Sequence, residues 1–131
     1  MLKIFIIISS LVIPISSYAE MLVIEKRSSS SNGITKNYIL EVNVKDIKAT
    51  SELNPAKDDL PISMKKAIKL ATSAYKSKYN AEPWGIASVS LEHFPSYDYR
   101  KHWYFKIDLF GKPSLKVAVL FNEKVIFPRE Q

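Results

Sequence analysis

The apolar residues of this chain recur with a period of two over most of its length and with a helical period over one stretch. Tyr38, Leu40, Val42 and Val44 alternate with Ile39, Glu41, Asn43 and Lys45, which predicts a strand with one buried face running to Ile47. Met21-Leu22-Val23-Ile24 has strand character, and the Ser-rich run from Ser28 closes on Asn32-Gly33, a strong turn pair. The N-terminal strands are therefore expected within 21–47. Residues 48–62 are polar, carry Pro55 and Pro61, and are expected as a connecting loop.

Met64, Ile68, Ala71 and Tyr75 repeat at helical spacing, with Ala67, Ala74 and Tyr79 falling beside them at 100° per residue. Lys65, Lys69 and Lys76 cluster on the other side. Ser63 is a suitable N-cap, Ile62 can staple the first turn, and Asn80 and Pro83 end the run. The spacing predicts one amphipathic helix over 63–79, its lysine-lined face turned to solvent.

Residues 84–128 then read as antiparallel strands. Ala87, Val89 and Leu91 form one alternating set; Trp103, Phe105, Ile107 and Leu109 a second; Leu115, Val117, Val119 and Phe121 a third. Gly111-Lys112-Pro113 and Asn122-Glu123 supply turns, and Val125 to Phe127 returns as a short last strand. A lone helix must bury its apolar stripe on a sheet. The expected class is α+β: one amphipathic helix packed on an antiparallel sheet of four to five strands, in two layers. The opposite sheet face would carry Tyr104, Lys106, Asp108, Phe110, Lys116, Ala118 and Leu120. It is half apolar, more so than a bare face usually is, so a cover is expected, either Met21 to Ile24 or a partner.

The first nineteen residues follow another logic. Lys3 precedes an apolar run from Ile4 to Ile13, Pro14 interrupts it, and Ser17-Tyr18-Ala19 places small residues where a signal peptidase reads. The run is too short for the ~20 apolar residues that span a bilayer. It predicts a secretory signal peptide cleaved near Ala19, a single domain over 20–131, and a periplasmic or secreted location. No membrane-spanning segment is expected. The chain has a net charge of +6, which falls by one when Lys3 leaves. That is modest, and no nucleic-acid partner is expected.

Chemistry is sparse. The chain has no cysteine, two histidines and three glycines, so thiol catalysis, Cys-ligated zinc and glycine-rich phosphate loops are excluded. His93 and His102 flank the connection between two strands, but a register that matches the apolar faces turns their imidazoles to opposite sides. No catalytic residues, metal site or cofactor are expected, and the protein is read as a non-enzyme. The aromatic density between Phe94 and Phe105 stands out. Trp103 and Phe105 belong to the core by alternation. Tyr97, Tyr99, Arg100 and His102, with Tyr104 and Lys106 on the outer face of the next strand, are the candidate partner-binding residues, because tyrosine and arginine combine large contact area with directional hydrogen bonds. The competing reading folds both tyrosines back as a cap on the core.

Four segments carry a resemblance: Pro61-Ile62-Ser63-Met64-Lys65-Lys66-Ala67-Ile68-Lys69-Leu70-Ala71, Ser90-Leu91-Glu92, Trp103-Tyr104-Phe105-Lys106-Ile107, and Val117 through Ile126. From about residue 60 onward the chain resembles the small secreted domains grouped around the PepSY and cystatin-like folds. It departs from them at the last hairpin, where Asn122-Glu123 replaces the usual Asp-Gly. The resemblance implies a non-enzymatic domain outside the cytoplasm, in some members one that binds or restrains peptidases. Function is therefore read as a non-catalytic periplasmic or secreted protein-binding domain, an inhibitor or partner of an envelope enzyme. One alternative is an envelope component that homo-oligomerises through its sheet. Another is an enzyme or small-ligand carrier with a pocket between helix and sheet.

Overall fold

The computed structural model describes residues 19–131, so the signal-peptide reading of residues 1–18 lies outside the described residues. The fold is α+β. Strands β1 (Met21–Ser31) and β2 (Ile34–Asn43) form a long hairpin, and a short helix α1 (Val44–Lys48) follows. Helix α2 (Met64–Tyr79) leads into β3 (Gly85–His93), β4 (Trp103–Phe110), β5 (Leu115–Leu120), β6 (Val125–Ile126) and β7 (Arg129–Glu130). β3 to β6 form a four-stranded antiparallel sheet in sequence order, and a second sheet has the order β1-β2-β7.

Helix α2 covers one face of the four-stranded sheet as its periodicity predicts. Ala67, Ala71 and Tyr75 pack against Phe105, Ile107, Leu109, Val117 and Val119. Ser63 accepts the Lys66 N–H at 3.0 Å, satisfying one unpaired amide of the first turn. Asn80 ends the helix in the left-handed conformation.

The other sheet face adds a layer that the two-layer expectation lacks. Leu22, Ile24, Leu40 and Val42 of the hairpin and Ile47 of α1 pack on Tyr104, Ala118, Leu120 and Phe94. The expected cover on this face is therefore real, and the chain supplies it. Burying side chains of this size contributes roughly 1.5–3 kcal/mol each, so the second core, although smaller than the first, adds substantially to stability. The short β7 pairs with Tyr38 and Ile39 of β2, so the chain end crosses from one sheet to the other.

Two local expectations need correction. The strand expected to reach Ile47 ends at Asn43, and Val44–Lys48 is helical. Asn43 accepts the Lys45 N–H at 2.9 Å and starts the turn; Val44 and Ile47, three apart, are then buried together, as a helical turn allows and strand alternation does not. On β3, a register shift between Ile86 and Ser88 makes Ala87 an exposed bulge residue and turns Ile86 to the core. The Ser-rich segment lies within β1, inside the range expected for the N-terminal strands. β1 and β2 stay paired out to Ser31 and Ile34 around Asn32-Gly33, whose φ values of 53° and 76° suit a tight hairpin turn.

This hairpin extends past the core. Every residue from Lys26 to Asn37 is exposed. The segment Arg27–Ser31 reaches roughly 15 Å beyond the packed base, at the usual rise per strand residue. Ser28–Asn37 and Ser30–Thr35 hydrogen bonds at 2.7 and 3.0 Å tie the arm across its width.

Candidate functional site

The loop between β3 and β4 is anchored at both ends. Phe94 is buried and lies against Tyr104, ring centroids 4.6 Å apart. The Phe94 N–H donates to the His102 carbonyl at 3.0 Å, and the Leu53 N–H reaches across to the Lys101 carbonyl at 2.8 Å. Within the loop, Tyr97–Tyr99 form one 3-10 turn, closed by bonds from Tyr99 N–H to Ser96 and from His102 N–H to Tyr99.

The six candidate residues separate into three groups. Tyr97 and Arg100 are at the surface: Tyr97 is 78% exposed, and the Arg100 guanidinium stacks over its ring at 4.3 Å. Tyr99 turns back and packs, half-buried, against the second core. His102 and Tyr104 are buried. The Thr50 hydroxyl donates its single hydrogen to the Ile47 carbonyl at 2.7 Å. Its 3.0 Å bond with His102 Nδ1 must then be donated by the imidazole. Tyr104 is on the outer sheet face as its parity predicts, yet the hairpin covers it. Burial, with the nearby Glu92 and Glu25 charges, pushes its phenol well above the usual range. These two correct the expectation of exposed contact residues, since both are buried. Lys106 is half-buried and bound to Glu92 at 3.0 Å. Burial pushes the Glu92 carboxyl up, but hydrogen bonds from Lys106 and Ser90 and the Lys106 and Lys116 charges outweigh it and hold it below the ordinary value.

The two histidines take separate partners. His93 Nδ1 bonds the Phe94 carbonyl at 2.9 Å, and its ring meets Trp103 edge-on. Among the described residues no group of three or more His, Asp or Glu is placed to hold a metal ion. On helix α2, Lys66 pairs with Glu123 and Lys76 with Glu82; all four side chains are largely solvated, and such pairs contribute little to stability.

A second feature lies at the opposite end of the sheet and was not legible in the sequence. A cleft of about 440 Å³ opens between the base of the arm, the end of α2 and the turn before β5. Of its lining residues, Leu40 and Leu115 are buried, Tyr38 and Tyr79 half-buried, and Arg27, Ser29 and Ser114 exposed. Lys116 also lines it, bonded to Glu25 at 3.1 Å. Burial, then the neighbouring Tyr75 and Tyr38, raises the Tyr79 phenol above its ordinary value. A bulge at Ile24 decides which β1 residues face this space. Leu22 pairs with Val42 before it, and Glu25 pairs with Leu40 after it. The inward face therefore passes from Leu22 and Ile24 to Glu25, Arg27 and Ser29. Without that extra residue, alternation from Leu22 would assign Lys26, Ser28 and Ser30 inward. No sequence pattern announces it.

Among the described residues no helix is long and apolar enough to cross a membrane. Comparisons with protein-family models, curated proteins and solved structures find no match.

Proposed function

We propose that this is an exported, non-catalytic protein-binding domain that meets its partner through Tyr97 and Arg100. The observation carrying this reading is the exposed Tyr97–Arg100 stack on a loop whose flanks are buried. Tyrosine and arginine dominate contact energies at interfaces when they are held in place, and the anchors at Phe94, His102 and Lys101 spare the loop much of its ordering cost on association. An envelope enzyme is the partner class suggested by the PepSY- and cystatin-like resemblance, which belongs to the same proposal. Export rests on the leader-like residues 1–19. It is also compatible with the fold: the Glu20 carbonyl accepts the Val44 N–H at 2.9 Å, so cleavage after Ala19 would keep every residue this base uses. The alternative of oligomerisation through a sheet face has less support, since helix and hairpin occupy the two faces of the larger sheet.

Substitution of the two tyrosines separately tests the proposal. Tyr97→Ser is expected to leave the melting temperature unchanged and to abolish recovery of the crosslinked partner from envelope extract. Tyr99→Ser is expected to lower the melting temperature and to retain capture per folded molecule. Equal capture by wild type and Tyr97→Ser would refute the assignment. Mass spectrometry of the exported protein should find an N-terminus near Glu20; an intact Met1 would remove the export part.

A further inference from the structure

We infer that the cleft at the base of the hairpin arm is a binding site for a small amphiphilic carboxylate, an alkanoate-like molecule with a short apolar body. This goes beyond the contact loop. The eight-residue β4 separates the two, a distance of roughly 25 Å along the strand, and neither site shares a residue with the other. It also relocates the small-ligand reading: the space between helix and sheet is filled by Tyr75, Phe105 and Ile107, whereas the cleft lies between hairpin and sheet.

The volume, about 440 Å³, falls within the usual range for small-ligand pockets and at its lower end. Burial sorts the lining by chemistry. Leu40 and Leu115 offer an apolar floor, and Pro113 and Pro128 flank it. The more exposed polar groups are rich in donors: the Arg27 guanidinium, the Tyr38 and Tyr79 phenols and the Ser29 and Ser114 hydroxyls. The one carboxylate in the lining, Glu25, already bonds Lys116. Arg27 has no ion-pair partner among the described residues. Lys36 stands opposite Ser29 in the ladder and so shares this inward face further out along the arm; Glu130, opposite Tyr38, is the acidic neighbour that does not line the cleft. An anionic head with acceptors only meets these donors without leaving a hydrogen of its own unpaired, and an arginine fork matches a carboxylate in two bonds. A peptide amino end would add an ammonium, for which the lining supplies no unpaired carboxylate.

The test is a titration of 15N-labelled protein with sodium octanoate, read by amide chemical shifts. Saturable shifts are expected at Arg27, Ser29, Tyr38 to Leu40, Tyr79 and Ser114 to Lys116. Arg27→Glu should weaken binding at least tenfold, and Ser29→Trp, at an exposed position, should close the mouth and abolish it. Both variants must keep wild-type shifts away from the cleft, and Arg27→Gln serves as a milder replacement if charge reversal perturbs the arm. 1-Octanol should bind at least tenfold more weakly than octanoate, and acetate should give no saturable shift. Tyr97→Ser should bind octanoate as wild type does, which keeps failure of the loop reading separate from failure here. Absence of saturable shifts with octanoate, shifts centred elsewhere, or affinity unchanged by both arm substitutions would overturn the inference. Equal binding of octanol would overturn the carboxylate, and tighter binding of N-acetyl-leucine would overturn the alkanoate in favour of a peptide end.

Discussion

Tyr104 shows how a single position acquires its properties from its cover. Its ring stacks on Phe94 and lies beneath the hairpin, and burial, reinforced by Glu92 and Glu25, favours the neutral phenol. In the unfolded chain that phenol ionises near its ordinary value of about 10. Above that pH the folded state retains a proton that the unfolded state has released, so stability falls as pH rises. The contribution is fully present below about pH 10 and is lost progressively above it, by up to about 1.4 kcal/mol per pH unit for one proton. Tyr104→Phe removes this term. Urea midpoints measured from about pH 9 to 11.5 should therefore decline less steeply for Tyr104→Phe than for wild type over the window that starts at the free phenol's value; parallel slopes would contradict the burial argument. The identity of the residue and its strand parity were legible in the sequence. Its burial depended on twenty-odd residues at the other end of the chain.

At the scale of elements, helix α2 reaches the β4–β5 turn through one hydroxyl. Tyr75 is fully buried, and its O–H donates to the Pro113 carbonyl at 2.8 Å. Gly111 makes this approach possible, since a Cβ there would stand 2.8 Å from the same oxygen. Gly111→Ala should push the phenol off Pro113 and destabilise the fold by roughly 1–3 kcal/mol, the usual cost of stranding a buried polar group. Chemical denaturation measures the loss, and an unchanged midpoint would show that the turn can shift freely. Because Pro113 and Ser114 also line the cleft, the same contact sets the cleft's far wall. Helix α2 itself was readable from the spacing of Ala67, Ala71 and Tyr75 and from its Ser63 cap, because both signals are local. Helix α1 was not: Val44 continues the alternation of β2, only Ile47 falls on the opposite parity, and the Asn43 cap decides only once the strand has to leave the sheet.

For the molecule as a whole, the two sheets are joined by packing and by the chain end. The Arg129 guanidinium bonds Glu41, and the Gln131 N–H donates to the Asn37 carbonyl at 2.9 Å. A two-stranded ribbon is marginal without such support. Deleting Arg129–Gln131 should therefore speed amide exchange in β1 and β2 from Lys26 to Ile39 several-fold while leaving α2 and β4 protected. Uniform acceleration across the protein would show that the tail stabilises the entire fold instead.

The sequence by itself determined the α+β class, the amphipathic helix with its cap, the strand periods of β4 and β5, the Asn32-Gly33 and Asn122-Glu123 turns, and the need for a cover over Leu120. Each is written in residues close together along the chain, where period and turn chemistry act directly. Of the candidate contact residues, Tyr97 and Arg100 lie at the surface, in a proline-containing loop. Only the tertiary structure decided the rest. It separated Tyr99 from Tyr97, closed the hairpin over Tyr104, tied His102 to Thr50 across fifty-two positions, and brought Arg27, Tyr38, Tyr79 and Ser114 to one cleft. Those outcomes depend on the meeting of remote segments and on a one-residue bulge at Ile24 that changes which side of a strand faces in. Alternation gives a strand two faces, but the partner that packs against it chooses which face is inside.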